Sequence, residues 1–338
     1  MEIYMNDSEK SFKTLMLKIG AVLLVFWGLF NVLGTVYIIF DEIVRELLAD
    51  PAASIVSEVF YAFIYAAAFA IPAGILAYVT RTDGVPLIKK AALPAKTPIY
   101  IIGAIACIIS FAYINSMIVS IFDYADFSQD VMWKAEYDEL YEVLLQLLTV
   151  AVIPGIFEEV LFRGVVLAKL RPYGKGPAII ISAVLFGLMH QNAGQFLYAM
   201  AAGLVLGFVA YETGSLLCCI LIHFSNNAFS VLEQAAYANL PENIYAVISY
   251  TVELLIFVCG IISFVYVVYS YYSKKKENDF SEGIYQKELV LSETAVQSLP
   301  AAKLVRSFFS PTVIAFAVIS ISSAAMLIFE SLVYSQLV

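Results

Sequence analysis

Nine runs of about twenty mostly apolar residues follow one another along this 338-residue chain, near 14–40, 55–80, 98–122, 140–168, 176–192, 195–211, 215–235, 245–272 and 311–334. A helix of that length crosses the ~30 Å hydrocarbon layer of a bilayer. In lipid every backbone N–H and C=O must find its partner inside the segment, so such runs are helices. The fold class this dictates is all-α, a polytopic transmembrane helical bundle of about 8–9 spans. The ten-residue alternation of a membrane β-barrel is absent. At 62% hydrophobic and 14% charged residues, the chain holds far more apolar surface than a soluble core needs.

Lysine and arginine set an orientation. Sixteen of the 19 fall at the N-terminus (Lys10, Lys13, Lys18) and in alternate loops: Arg81, Lys89, Lys90 and Lys96; Lys169, Arg171 and Lys175; Lys274, Lys275, Lys276, Lys287, Lys303 and Arg306. Only Arg45 and Lys134 fall on the other side, and Arg163 lies within a span. The positive-inside rule puts the N-terminus in the cytoplasm and the C-terminus outside. The expected location is an integral, multi-pass one, in the plasma membrane if the source is bacterial. The first run is longer than a signal-peptide core and lacks a small-x-small exit site, so it is expected to stay as a span.

Three regions are expected: N-terminal helices with an external amphipathic segment over 1–139, a central core over 140–235, and C-terminal helices over 236–338 with a cytoplasmic loop at 273–310. The acidic stretch 123–142, with Trp133, Tyr137 and Tyr141, suits a helix in the headgroup zone. No basic face beyond the loops is present, so no nucleic-acid partner is expected. Cys107, Cys218, Cys219 and Cys259 all fall in spans, which argues against a disulfide framework. Pro72 and Gly74 are expected to bend the second span, and Pro154–Gly155 to break or kink the fourth. Gly203 and Gly207 form a face that lets a neighbouring helix come close.

The chemistry sits in the few ionisable groups that apolar helices carry, because such groups are costly in lipid and face an interior cavity. The chain has only two histidines, His190 and His223, and both lie within apolar runs. The fourth run carries Glu158-Glu159 and Arg163. Glu159 and Arg163 are i,i+4 with the acid first, the favoured orientation for a helical ion pair. Glu158 projects about 100° away, lacks that partner, and is the candidate base. Phe186 and His190 share one helix face, as do His223 and Asn227, and the second pair can donate hydrogen bonds to an oxyanion. Asn226 points elsewhere and is expected to bridge helices. At 1.5 Å per residue, Glu158 lies about 16 Å from Lys169 and His223 about 12 Å from the cytoplasmic end of its helix, so the groups can meet.

These motifs, Glu-Glu-x-x-x-Arg, Phe-x-x-x-His and His-x-x-x-Asn in this order over about 140–235, resemble those of the CAAX-protease and bacteriocin-processing (CPBP) family of intramembrane proteases. The resemblance implies that Glu158 and His190 activate a water, that His223 and Asn227 hold the oxyanion, and that Glu159 and Arg163, with Phe186, support the site. It implies an enzyme of the type II CAAX prenyl protease kind, acting on a peptide or protein substrate that is lipidated or membrane-embedded. Members are also linked to bacteriocin maturation or immunity. Metal dependence stays open: Glu158, His190 and His223 could be three zinc ligands with water as the fourth, yet HExxH is missing and a glutamate–histidine pair can activate water alone. Two rivals remain: an ion-coupled transporter using the same cluster, and an immunity or scaffold protein whose site is idle.

Overall fold

The computed structural model describes residues 7–81, 97–123, 137, 139–281 and 299–335. Among them every element is helical: α1 (Asp7–Leu47), α2 (Ala52–Val79), α3 (Thr97–Asp123), α4 (Leu140–Gln146), α5 (Ile153–Glu159), α6 (Ala168–Leu170), α7 (Lys175–Met189), α8 (Ala193–Thr213), α9 (Leu216–Asn239), α10 (Glu242–Ser281), α11 (Ala301–Phe308) and α12 (Pro311–Ser335). Two π-helical segments, Leu147–Val152 and Val160–Leu167, join α4, α5 and α6 into one span. Among the described residues seven helices are long and apolar enough to cross a membrane, or eight if α11 with the first part of α12, bent by 64°, counts as one. All nine expected runs are helical, and two differ from simple spans. The fifth is the 15-residue α7, about 22 Å long, and the ninth shares its crossing with α11.

The 273–310 region departs from the expected loop at both ends. The backbone of α10 continues through the Lys274–Lys276 run to Ser281. Residues 301–308 form α11, with Leu304 and Ser307 buried and Lys303 paired to Glu9 Oε2 at 2.9 Å. A short amphipathic helix with basic residues hides its apolar face against α1, which a hydropathy reading alone scores as loop. Most of the acidic 123–142 stretch, Trp133 included, lies outside the described residues. Its Tyr137 is buried, with its hydroxyl 3.3 Å from Gln234 Oε1 and its carbonyl accepting from Asn239. The four cysteines are free thiols.

One end of the bundle collects the basic residues. Lys18 Nζ donates to the Val79 carbonyl at 2.7 Å, Arg171 Nη2 to the Tyr211 carbonyl at 3.0 Å, and Lys175 pairs with Glu212. Phe12 and Ser11 of α1 meet Tyr173 at the same end. Above it lies a core of Phe12, Met16, Ile19, Phe69, Phe162, Leu185 and Phe316. Large apolar side chains such as Phe63, Met117, Leu254 and Phe264 stay exposed, as lipid-facing surfaces should.

The glycine face read in α8 packs on α7. A Cβ on Gly203 would stand 2.9 Å from Ala183 Cα, and one on Gly207 3.2 Å from Ile179 Cγ2. Pro72 stands inside an unbroken α2, whereas Pro154 follows the first π segment at the start of α5. The break expected in the fourth span is thus a change of helical register.

Candidate active site

Glu158 and Glu159 close α5, and Arg163 lies in the following π segment; the three are 4%, 0% and 4% exposed. Arg163 Nη1 donates to Glu159 Oε1 at 2.7 Å, as the i,i+4 spacing requires, and Nη2 reaches the Gly203 carbonyl at 3.3 Å. Glu159 has a second partner that spacing did not reveal: His223 Nδ1 donates to the same Oε1 at 2.9 Å. A carboxylate can only accept here, so the His223 proton is on Nδ1 and Nε2 is the atom left for chemistry. Gly155 makes this pairing reachable, since a Cβ there would be 3.2 Å from the Phe224 amide nitrogen of α9. The glycine lets α5 and α9 touch backbone to backbone.

Glu158 is held by a residue that sequence reading missed. Tyr65 of α2 donates its hydroxyl to Glu158 Oε1 at 2.5 Å. The other oxygen, Oε2, is buried and has no hydrogen-bond partner in the protein. A buried carboxylate oxygen without a donor costs free energy unless a ligand supplies one. Tyr65 was one of 22 tyrosines in an apolar chain; the available signal was its i,i+4 spacing from Tyr61, which also faces the cavity.

His190 caps the C-terminus of α7 instead of standing within the helix. Gln191 takes a left-handed backbone, φ 53°, and Asn192 caps α8 by accepting from the Gly194 and Gln195 amides. That turn reverses the chain and leaves His190 at its apex. Its Nδ1 donates to the Phe186 carbonyl at 2.8 Å, so Nε2 is again the free ring nitrogen. The Phe186 ring sits edge-on to both imidazoles, with centroids 5.0 Å from His190 and 6.1 Å from His223, and Arg163 Cζ lies 4.4 Å from its centre.

Asn227 is fixed through a gap in the backbone ladder. Pro154 has no N–H and cannot donate to the Val150 carbonyl four residues back. Asn227 Nδ2 donates to that carbonyl at 2.8 Å. Its Oδ1 accepts from Asn226 Nδ2 at 2.9 Å, and Asn226 also reaches the Tyr198 hydroxyl at 2.6 Å, bridging α9 and α8 as expected. One Nδ2–H of Asn227 therefore remains uncommitted.

Glu158, Phe186, His190, His223 and Asn227 all line one cavity of about 580 Å³, together with Tyr61 and Tyr65. Glu159 and Arg163 stand behind it and hold His223. The zinc set fares differently. Among the described residues no three His, Cys, Asp or Glu side chains stand together as metal ligands do. As placed, Glu158, His190 and His223 do not form such a group.

No curated protein and no solved structure matches this chain. The segment that carries these reactive groups, residues 140–229, is similar to the family model described as Rce1-like, type II CAAX prenyl endopeptidase, and this likeness of one segment is in line with the CPBP resemblance of its motifs.

Proposed function

We propose that the protein is an intramembrane endopeptidase that hydrolyses a peptide bond with a water activated by Glu158 and His190. The observation that carries this reading is the buried, unpartnered Oε2 of Glu158 on a carboxylate already fixed through its other oxygen. A water in the cavity gives one proton to Glu158 or His190 Nε2 as its oxygen attacks the scissile carbonyl. The negative charge moves to the carbonyl oxygen, where the free Nδ2–H of Asn227 and Nε2–H of His223 can donate. Because Nδ1–H of His223 already serves Glu159, Nε2 donates only when the ring carries both protons. Collapse of the tetrahedral intermediate breaks the C–N bond, and the proton held by Glu158 or His190 passes to the leaving amine. The substrate is a peptide or protein, membrane-embedded or lipidated. N-terminal peptide profiling of membranes bearing wild type or Glu158→Gln tests the reading: new N-termini that depend on Glu158 support it, and identical profiles overturn it.

Three further outcomes follow from the geometry. Asn227→Ala should slow turnover by roughly 10²–10³-fold, the usual loss for one oxyanion donor; single-turnover cleavage measures it, and an unchanged rate removes Asn227 from that role. Tyr65→Phe keeps the ring against Phe69 and Phe30 while deleting the donor to Glu158. We expect kcat to fall about tenfold, near 1.4 kcal/mol for one hydrogen bond to a charged group, with KM little changed. The thermal melt of Tyr65→Phe should stay close to that of the wild type; a melt that falls together with kcat would mean that Tyr65 acts on the fold. Finally, prolonged dialysis against a strong zinc chelator should leave cleavage intact. Loss of activity that zinc restores would replace the glutamate–histidine reading with a metal-dependent one.

A further inference from the structure

The cavity has a direction. Of the residues lining it, those nearest the basic end are Leu206 and His223. The reactive groups form its floor at mid-helix depth, and its walls run toward the opposite end along Asn115 and Ser116 of α3, Gln195 of α8, and Ser230 and Glu233 of α9. Toward the basic end the same span continues with the buried side chains of Leu161, Phe162, Val165, Val166, Leu167 and Leu170, with the paired Arg163 among them. A small pocket of about 50 Å³, which reaches Arg163 and not Glu158, opens among these residues at the basic end; the wide, polar-walled cavity that holds Glu158 extends the other way, so water and polypeptide reach Glu158 from the end that lacks the basic loops.

That end is also acidic. Asp41, Glu46, Asp50, Glu139, Glu142 and Glu242 lie there, at the termini of α1, α4 and α10. Among the described residues Arg45 is the one basic side chain at that end, and it is paired with Asp41 at 2.9 Å. Within the cavity wall Glu233 adds a carboxylate, held by the Tyr113 hydroxyl at 3.1 Å. A field of one sign around a cleft raises the local concentration of ligands of the other.

We infer that this peptidase site is loaded from the non-cytoplasmic side, and that its substrate is a positively charged polypeptide segment presented on that face. The inference rests on the peptidase reading for its chemistry and on the basic loops being cytoplasmic for its sidedness. It sets the scissile bond on the opposite side of the membrane from a cytoplasmic carboxyl terminus.

The opening is tested without any cleavage. Ser230→Cys, on the cavity wall, and Lys10→Cys, at the basic end, are treated with a membrane-impermeant maleimide in vesicles of known sidedness, and the labelled position is located by peptide mass mapping. We expect Ser230→Cys to react at least about tenfold faster in right-side-out vesicles, and Lys10→Cys in inverted ones, because a charged reagent cannot cross the hydrocarbon layer. Labelling of Ser230→Cys from the cytoplasmic side, or from neither side, overturns the inference. The charge of the substrate is read with two internally quenched peptides of opposite net charge, supplied to the wild-type protein in right-side-out vesicles and in detergent. The basic peptide should be cut about tenfold faster, the ratio set by about 1.4 kcal/mol of attraction. Equal rates, or faster cutting of the acidic peptide, overturn the charge assignment. Failure to cut either peptide in detergent counts against the peptidase reading, while the maleimide result still decides the direction of opening.

Discussion

Glu158→Gln should abolish cleavage while the protein folds and melts as the wild type does. The amide keeps an oxygen for the Tyr65 hydroxyl, so the contact at 2.5 Å survives. What it loses is the ability to take a proton. A positioned general base contributes roughly 10²–10⁴-fold, and here the same group also returns the proton to the leaving amine, so the loss should sit at or above the upper figure. The measurement is single-turnover cleavage by purified protein beside its thermal melt in the same detergent. A variant that cuts at the wild-type rate ends the assignment of Glu158 as base. The two rivals separate in the same experiment: a transporter would show substrate-dependent proton flux without new N-termini, and an idle scaffold would keep its biological effect in the variant.

Arg163→Met should cost most of the protein's stability. Its guanidinium is buried against Glu159, and the pair is 1% and 0% exposed at the side chains. Removing one partner of a buried ion pair leaves an uncompensated charge and costs about 3–5 kcal/mol. His223 still donates to Glu159, which does not neutralise the carboxylate unless the ring is charged. The double variant Glu159→Gln/Arg163→Met removes both charges at once and should recover more than half of the loss, although the neutral amide oxygen accepts from His223 more weakly than the carboxylate and cleavage stays slow. Equilibrium unfolding of the single and double variants provides the comparison. A single variant within about 1 kcal/mol of wild type would show that the pair is dispensable to the fold.

The parts of the site that sequence disclosed were local or chemically rare. Glu159 and Arg163 meet because four residues of helix place them together, and the two histidines stood out against 62% apolar residues. Their convergence on one cavity could be argued from depth along each helix. What stayed hidden was tertiary or backbone in origin. The His223–Glu159 bond joins residues 64 positions apart, and the Tyr65–Glu158 bond residues 93 apart; no periodicity encodes either. The π-helical segments around α5 change the register of the helix, a change that their mostly apolar residues do not mark in the hydrophobic pattern. Helix α11 was read as loop because eight residues with Lys303 and Arg306 lack the length of a span. The short α7 carried a signal in the polar Gln191-Asn192 turn that follows His190.

Proline 154 shows how an imino acid can aim a side chain on another helix. A residue with its own amide hydrogen at 154 could knit it onto the oxygen of Val150, and the carboxamide of Asn227 would then keep a single anchor, the amide of Asn226. With no hydrogen on the imino nitrogen, that oxygen is open to a donor from α9, and Asn227 supplies it. The rigidity of a group meant to greet a fleeting anion is thereby borrowed from a defect elsewhere, one that thermal motion of the fourth span cannot heal.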